Sequence, residues 1–281
     1  MDRYEQVAEL KAALRPLQQA GLRIGFVPTM GALHEGHLSL VRNALGRAEV
    51  VVASVFVNPL QFGPREDLDR YPRDLEGDAK KLEEAGCHVL FTPDSGVMFP
   101  PGFQTRVSVA ELQKGLCGDR RPGHFDGVAT VVAKLFGIVR PDVAVFGEKD
   151  FQQLALIRRM VADLNLDVEV VGAPLVREPD GLARSSRNAG LSEDERTRAV
   201  ALSRGLFRAR AAYGEGERSA AVLEGIVQKT LAEAQVEPEY VELRAFDGLE
   251  RLERADAPCV LFVAAQVGST RLIDNLILRR P

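Results

Sequence analysis

The sequence predicts an α/β protein in which a parallel-sheet domain is followed by a smaller α+β domain. Nearly unbroken β-branched runs, Val50 to Val57 above all, read as strands buried on both faces, the mark of a parallel sheet. Amphipathic stretches of helix length alternate with these runs, and such units join parallel strands by right-handed crossovers. After Gly172 the texture changes to a turn-rich stretch and then two long helical patterns. The boundary therefore falls near Leu175, with residues 1–175 in the first domain and 176–281 in the second.

An amphipathic helix from about Tyr4 to Ala20 stops at Gly21, and the apolar run Leu22 to Val27 reads as a strand ending at Pro28-Thr29. A Gly-rich turn precedes a helix from about Gly36 to Leu45. The strand Val50 to Val57 ends at Asn58-Pro59, and a polar loop to Arg73 leads to a helix from Leu75 to Ala85 closed by Gly86. Val89 to Phe91 is a strand, Val128 to Val139 a helix, Val143 to Phe146 a buried strand, Phe151 to Leu164 a helix and Val168 to Val171 a strand. Pro174, Pro179 and Gly181 punctuate the change of texture. Ser192 with Glu195 forms a capping box that starts a helix towards Ala212. A helix from Ala220 to Ala234 and strands Tyr240 to Arg244 and Val260 to Ala264 complete the smaller domain.

Composition narrows the functional classes. Hydrophobic residues are 46% and charged residues 27% of the 281, which is ordinary globular usage and excludes a disordered or fibrous chain. With 36 basic against 40 acidic residues the net charge is −4, so the molecule as a whole does not attract nucleic acid or anionic membrane. The three cysteines, Cys87, Cys117 and Cys259, form no CxxC pair and no Cys/His zinc pattern, which fits a reduced, cytoplasmic setting. The start, Met1-Asp2-Arg3, lacks the features of a signal peptide, and no apolar run approaches the ~20 residues that span a bilayer.

Four segments place polar groups at strand ends. The first, Pro28 to His37, lies where a strand hands over to a helix, the position at which helix N-termini face anions in open parallel sheets. It is no P-loop, because His37-Leu38 stands where that motif needs Lys and Ser or Thr. His34 and His37, three apart, can share a face and stabilise negative charge building on a phosphate. The other histidines, His88 and His124, lie in unrelated contexts, so no zinc set is expected.

The second segment, Phe146 to Gln153, ends a buried strand with Gly147 and Lys149, a mobile cation suited to phosphate oxygens. The third, Arg177 to Asn188, sets Ser185 and Ser186 among arginines as a local anion cradle. It lacks the aromatic interleaving and wider basic face of a nucleic-acid surface. The fourth, Val57 to Phe62, offers the amides of Asn58 and Gln61, which suit a small polar substrate.

These segments, with Tyr71 to Leu75, Arg121 to Val128 and Arg271 to Asn275, closely resemble the pantothenate synthetases (pantoate–β-alanine ligases), collinearly from about Pro28 to Asn275. The resemblance implies a Rossmann-like domain of the nucleotidylyltransferase type, whose HxGH signature is His34-Glu35-Gly36-His37, with a smaller domain closing over the cleft. It implies an ATP site from Met30, Gly31, Ala32, Leu33, His34, Glu35, Gly36 and His37, joined by Gly147, Glu148, Lys149, Asp150, Val176, Arg184, Ser185, Ser186 and Arg187. His37 would be the proton donor and His34 its partner on the phosphates. Gln61 and Gln153 would bind pantoate, and Asn58 with Gln61 would place β-alanine. Arg184 stands where the family usually has an apolar residue, and Ala189-Gly190 where an aromatic commonly follows the Asn.

The implied reaction is ATP-dependent condensation of (R)-pantoate with β-alanine through a pantoyl adenylate. His34, His37, Lys149, Ser185, Ser186 and Arg187 would stabilise the charge, and Mg²⁺ would ride on the triphosphate without protein ligands. A cytoplasmic homodimer without nucleic-acid or membrane partners is expected. Two rivals are an HxGH adenylyltransferase for another small acceptor and a catalytically dead nucleotide sensor. The first has no need of the Asn58, Gln61 and Gln153 amides; the second would bind ATP without forming AMP.

Overall fold

The structure, a computed structural model, describes residues 1–63, 68 and 71–279. The chain divides into two compact units: Met1–Glu148 with Gln152–Pro174, and Lys149–Phe151 with Leu175 onward.

In chain order the first unit contains β1 (Asp2–Tyr4), α1 (Val7–Gln19), β2 (Ile24–Thr29), α2 (Glu35–Leu45), β3 (Val50–Val55), α3 (Leu75–Glu84) and β4 (Val89–Phe91). It continues with α4 (Ser95–Met98), α5 (Leu116–Arg120), α6 (His124–Val139), β5 (Val143–Gly147), α7 (Phe151–Asp163, whose first residue counts with the second unit) and β6 (Glu169–Ala173). The six strands are parallel in the order β1-β4-β3-β2-β5-β6. Alternation along β2 sends Phe26 to one face and Val27 to the other. Phe26 meets Phe136 of α6 edge to face, and Phe136 in turn meets Phe146 of β5. Val27 joins the opposite layer with Leu40, Val41 and Ala44 of α2 and Val143 and Val145 of β5.

From β2 the chain winds outward to β3 and β4, then returns to place β5 on the other side of β2. The winding therefore reverses between β2 and β5, and in open α/β sheets ligands bind in the crevice beyond the carboxyl ends of the strands at such a point.

The second unit contains α8 (Glu193–Ala199), α9 (Ala201–Gly214), α10 (Ala220–Glu233) and the antiparallel sheet β7 (Pro238–Ala245), β8 (Cys259–Val267) and β9 (Thr270–Leu278). Leu202, Leu206, Leu223 and Val227 from the helices share one core with Leu243, Leu261 and Val263 from the sheet. The capping box is present, with Ser192 and Glu195 bonded reciprocally.

Several elements differ from expectation. Asp2–Tyr4 is a strand paired with Val89–Phe91, so α1 starts at Val7 rather than Tyr4. α6 starts at His124 rather than Val128, because Gly123 (φ 79°) turns the chain into the helix there. The helix expected from Ser192 to Ala212 is two helices meeting at Val200, whose ψ of −21° is 3₁₀-like. β9, α4 and α5 were not expected. The polar loop expected up to Arg73 lies partly outside the described residues.

Candidate active site

The carboxyl rim of the parallel sheet carries three of the predicted segments within the first unit. Met30 to His37 follows β2, Asn58 to Gln61 follows β3, and Gly147 with Glu148 ends β5. The turn after β2 and the end of β5 flank the reversal of winding. A Cβ at Gly147 would meet nothing within 4 Å, so the strand ends on open space.

The HxGH turn is a closed hydrogen-bonded unit. His34 is the N-cap of α2, and its Nδ1 accepts the Gly36 N–H at 3.2 Å. The Nδ1 of His37 accepts the His34 N–H at 3.3 Å. The rings lie 4.1 Å apart, centroid to centroid. A Cβ at Gly36 would sit 2.9 Å from Cε1 of His34, so only glycine lets the first imidazole fold over the helix start. With both Nδ1 atoms accepting, each ring carries its proton on Nε2, and both Nε2–H groups are donors.

At this helix start the chain itself engages several of the backbone N–H groups. Gly31 N donates to Thr29 Oγ1, and Ala32 N and Leu33 N to the Asp78 carboxylate; His34 N and Gly36 N go to the imidazoles.

Beside the turn, Asn58 is buried, 1% exposed. Its Nδ2 donates to Gln61 Oε1 at 3.0 Å and to Gly127 O at 3.1 Å, and its Oδ1 accepts the Leu60 N–H. Gln61 Nε2 points at Met30 Sδ, 3.0 Å away, which joins the amide segment to the turn after β2. A Cβ at Gly127 would lie 2.3 Å from Leu60 O, so glycine lets α6 press against this loop. His124 Nδ1 and Arg121 both reach the Gln61 backbone carbonyl, at 2.9 and 3.4 Å. Gln153 is half-buried on α7, while its neighbour Gln152 is buried and holds Leu112 O, Gly115 O and Cys117 N.

The remaining predicted residues belong to the second unit. Lys149 lies 3.7 Å from Asp150, and its backbone carbonyl accepts the Asn275 side-chain amide at 2.8 Å. Arg184 N donates to Val176 O, pairing two predicted nucleotide residues through their backbones. Ser185 caps the short 3₁₀ turn Ser186–Gly190 by accepting Arg187 N–H. Asn188 ties this loop down through bonds to Glu178 and Ala183 O. The Asn188 hydrogen bond and Arg196 hold the Glu178 carboxyl below its ordinary range. Arg177 grips the buried Asp274 with both guanidinium nitrogens, at 2.7 and 2.9 Å.

The family model for pantoate-beta-alanine ligase matches residues 2–277. The chain belongs to the pantoate–β-alanine ligase family. A pantothenate synthetase of Syntrophotalea carbinolica is 54% identical over 276 residues, covering 98% of this chain and 98% of that one. One of Pseudomonas putida (strain GB-1) is 54% identical over 280 residues, covering 99% and 98%. The crystal structure of pantothenate synthetase from Thermus thermophilus superposes with a TM-score of 0.94 at 49% identity, covering 98% of this chain and 99% of that one. The pantoate-beta-alanine ligase of Francisella tularensis, complexed with beta-gamma ATP and beta-alanine, gives 0.83 at 32% identity, covering 99% and 97%.

In this family member the sequence reading missed Asp78, the acceptor for the Ala32 and Leu33 amides of the turn after β2. A signal existed: Asp78 falls on the stripe of α3 that Leu75, Ala79 and Leu82 make apolar, where a carboxylate needs partners. Asn188 and Glu178 carried no such signal, since a polar loop gives no periodicity to violate.

Proposed function

We propose that the chain condenses pantoate with β-alanine at the expense of ATP, through a pantoyl adenylate. The observation that carries this reading is the imidazole pair at the reversal of winding, its tautomers set so that both rings donate from Nε2, in a chain of this ligase family.

A carboxylate and an amine form a salt in neutral water, so the carboxylate must gain a leaving group first. A pantoate carboxylate oxygen attacks the α-phosphorus of ATP, the bond to the bridging oxygen breaks, and pyrophosphate departs with its electrons. The neutral amine of β-alanine then attacks the acyl carbon; the C–N bond forms, the C–O bond to AMP breaks, and the amine proton is lost. The Nε2–H groups of His34 and His37 stabilise charge on the phosphates in the first step, His37 giving its proton as the leaving oxygen becomes anionic.

Gln61 and Gln153 hold pantoate, and Asn58 acts through Gln61, whose side-chain carbonyl it occupies. In the same reading Lys149, Ser185, Ser186 and Arg187 serve the phosphates, and Met30 to His37, Gly147 to Asp150, Val176 and Arg184 frame the nucleotide. Among the described residues no group of three or more His, Cys, Asp or Glu side chains could hold a metal ion. Mg²⁺ enters with the nucleotide substrate, since it usually keeps water and phosphate ligands rather than an all-protein cage. We extend the reading to a cytoplasmic homodimer, which fits a biosynthetic family and cysteines outside any disulfide; sedimentation tests the dimer.

Omission assays test the reaction. Pantoate and ATP together should release one equivalent of pyrophosphate per site, and AMP should appear only when β-alanine is added. ADP and phosphate as products, or AMP release without pantoate, would refute it.

A further inference from the structure

We infer that Asp78 is a positioning residue for ATP, fixing the shape of the loop from Gly31 to Leu33 that carries the imidazole pair. The inference rests on the ATP reading above and assigns a residue outside the HxGH signature. Asp78 projects from α3 and is 1% exposed. Its Oδ2 accepts the Ala32 N–H at 2.8 Å and its Oδ1 the Leu33 N–H at 2.7 Å, so one carboxylate takes two consecutive amides. Lys81, one turn further along α3, donates to Leu33 O at 2.9 Å and lies 3.9 Å from Asp78 Oδ1. The two side chains thus hold Leu33 by both its amide and its carbonyl, and His34 follows directly.

The loop conformation needs such a hold. Gly31 (φ 86°) and Ala32 (φ 51°) are both left-handed, and alanine enters that region only when its surroundings compel it. Gly31 also makes room for the clamp, because a Cβ there would lie 3.0 Å from Asp78 Oδ2.

Electrostatics makes the placement informative. A buried carboxylate beneath a triphosphate site repels the ligand, and the amides it takes are withheld from the phosphates. Its return is geometric: it sets where the Nε2–H donors of His34 and His37 stand. α3 has its own cap in Asp74, which accepts the Gly77 N–H at 3.0 Å, so Asp78 is not needed to start that helix.

Asp78→Asn tests the assignment, since an amide of the same shape accepts from one N–H and turns a donor on the other. The readout is the split between the two half-reactions of the full-length chain. Pyrophosphate release from ATP and pantoate is compared with pantothenate formation from synthetic pantoyl adenylate and β-alanine, which needs no triphosphate. The inference expects kcat/KM for ATP to fall at least about tenfold while the second half-reaction stays within about twofold. Equal losses in both would mean a merely structural role and overturn it, as would an unchanged ATP step. If Asp78→Asn does not fold, Lys81→Met decides by the same split, because Lys81 is 42% exposed. A wild-type chain that forms no AMP at all would remove the ATP reading and this inference together; an active wild type with an unaffected variant would remove this inference alone.

Discussion

Asn58 donates its side-chain N–H to the side-chain carbonyl of Gln61 at 3.0 Å, and this bond decides which end of the Gln61 amide serves as donor. With Oε1 taken, Nε2 turns towards Met30 Sδ at 3.0 Å. Asn58→Ala frees Gln61 to rotate and leaves Gly127 O without its side-chain donor. An unmade buried hydrogen bond costs about 1–3 kcal/mol, so KM for pantoate should rise about fivefold or more. Asn58→Asp should do at least as much harm, because a carboxylate there faces two carbonyl oxygens. Steady-state kinetics with varied pantoate checks both; an unchanged KM in either variant would separate Asn58 from substrate placement.

The imidazole tautomers make a sharper comparison. In His37→Asn the side-chain oxygen can take over the Nδ1 role and accept the His34 N–H, but nothing replaces the Nε2–H donor. His37→Gln sets an amide near the Nε2 position. Loss of one such donor costs about 10²- to 10³-fold in rate. The Asn variant should show that loss in single-turnover pyrophosphate release with its melting temperature nearly unchanged, and the Gln variant should retain more activity. Equal rates in the two would contradict the assignment of the donor to Nε2.

Gly127→Ala tests the seat of the amide loop. Its Cβ would lie 2.3 Å from the backbone oxygen of Leu60, and backbone cannot swing aside as a side chain can. Overpacking of this kind costs about 1–3 kcal/mol, which thermal denaturation would register as a drop of several degrees. KM for pantoate should rise as well, since the displaced loop carries Asn58 and Gln61.

Much of this arrangement was legible in the sequence because it follows from local pattern. The β-branched runs at Val50 and Val143 announce strands buried on both faces, and a Gly-rich turn with two histidines after such a strand marks the rim. The parts that escaped depend on partners far away along the chain. Asp78 gains meaning only from amides 45 and 46 residues upstream. β9 buries Asp274 and Asn275, which look like solvent-facing residues until Arg177, 97 residues earlier, neutralises the first. Asp2–Tyr4 is too short and too polar for any periodicity to register. The imidazole tautomers could not be read from spacing, because they follow from which backbone N–H each ring caps.

The cysteines give a prediction independent of the reaction. Burial pushes the Cys87 thiol from its ordinary 9.0 up to about 11, and does the same to Cys259. At pH 8 a thiolate-directed reagent should therefore spare both until the chain unfolds. The folded state favours the protonated thiol, so the stability this contributes is fully present below pH 9.0 and is lost as pH rises towards about 11. For Cys87 the slope is about 1.4 kcal/mol per pH unit in that window. Denaturant titrations across it check the sign; stability rising with pH there in proportion to thiol ionisation would reverse the account.

The most direct test of acyl activation at the α-phosphorus follows oxygen atoms. Pantoate labelled with ¹⁸O in its carboxylate should pass one labelled oxygen to the phosphate of the AMP released with pantothenate, as read by mass spectrometry. AMP free of label, with the departing labelled oxygen found in inorganic phosphate, pyrophosphate or water, would contradict it.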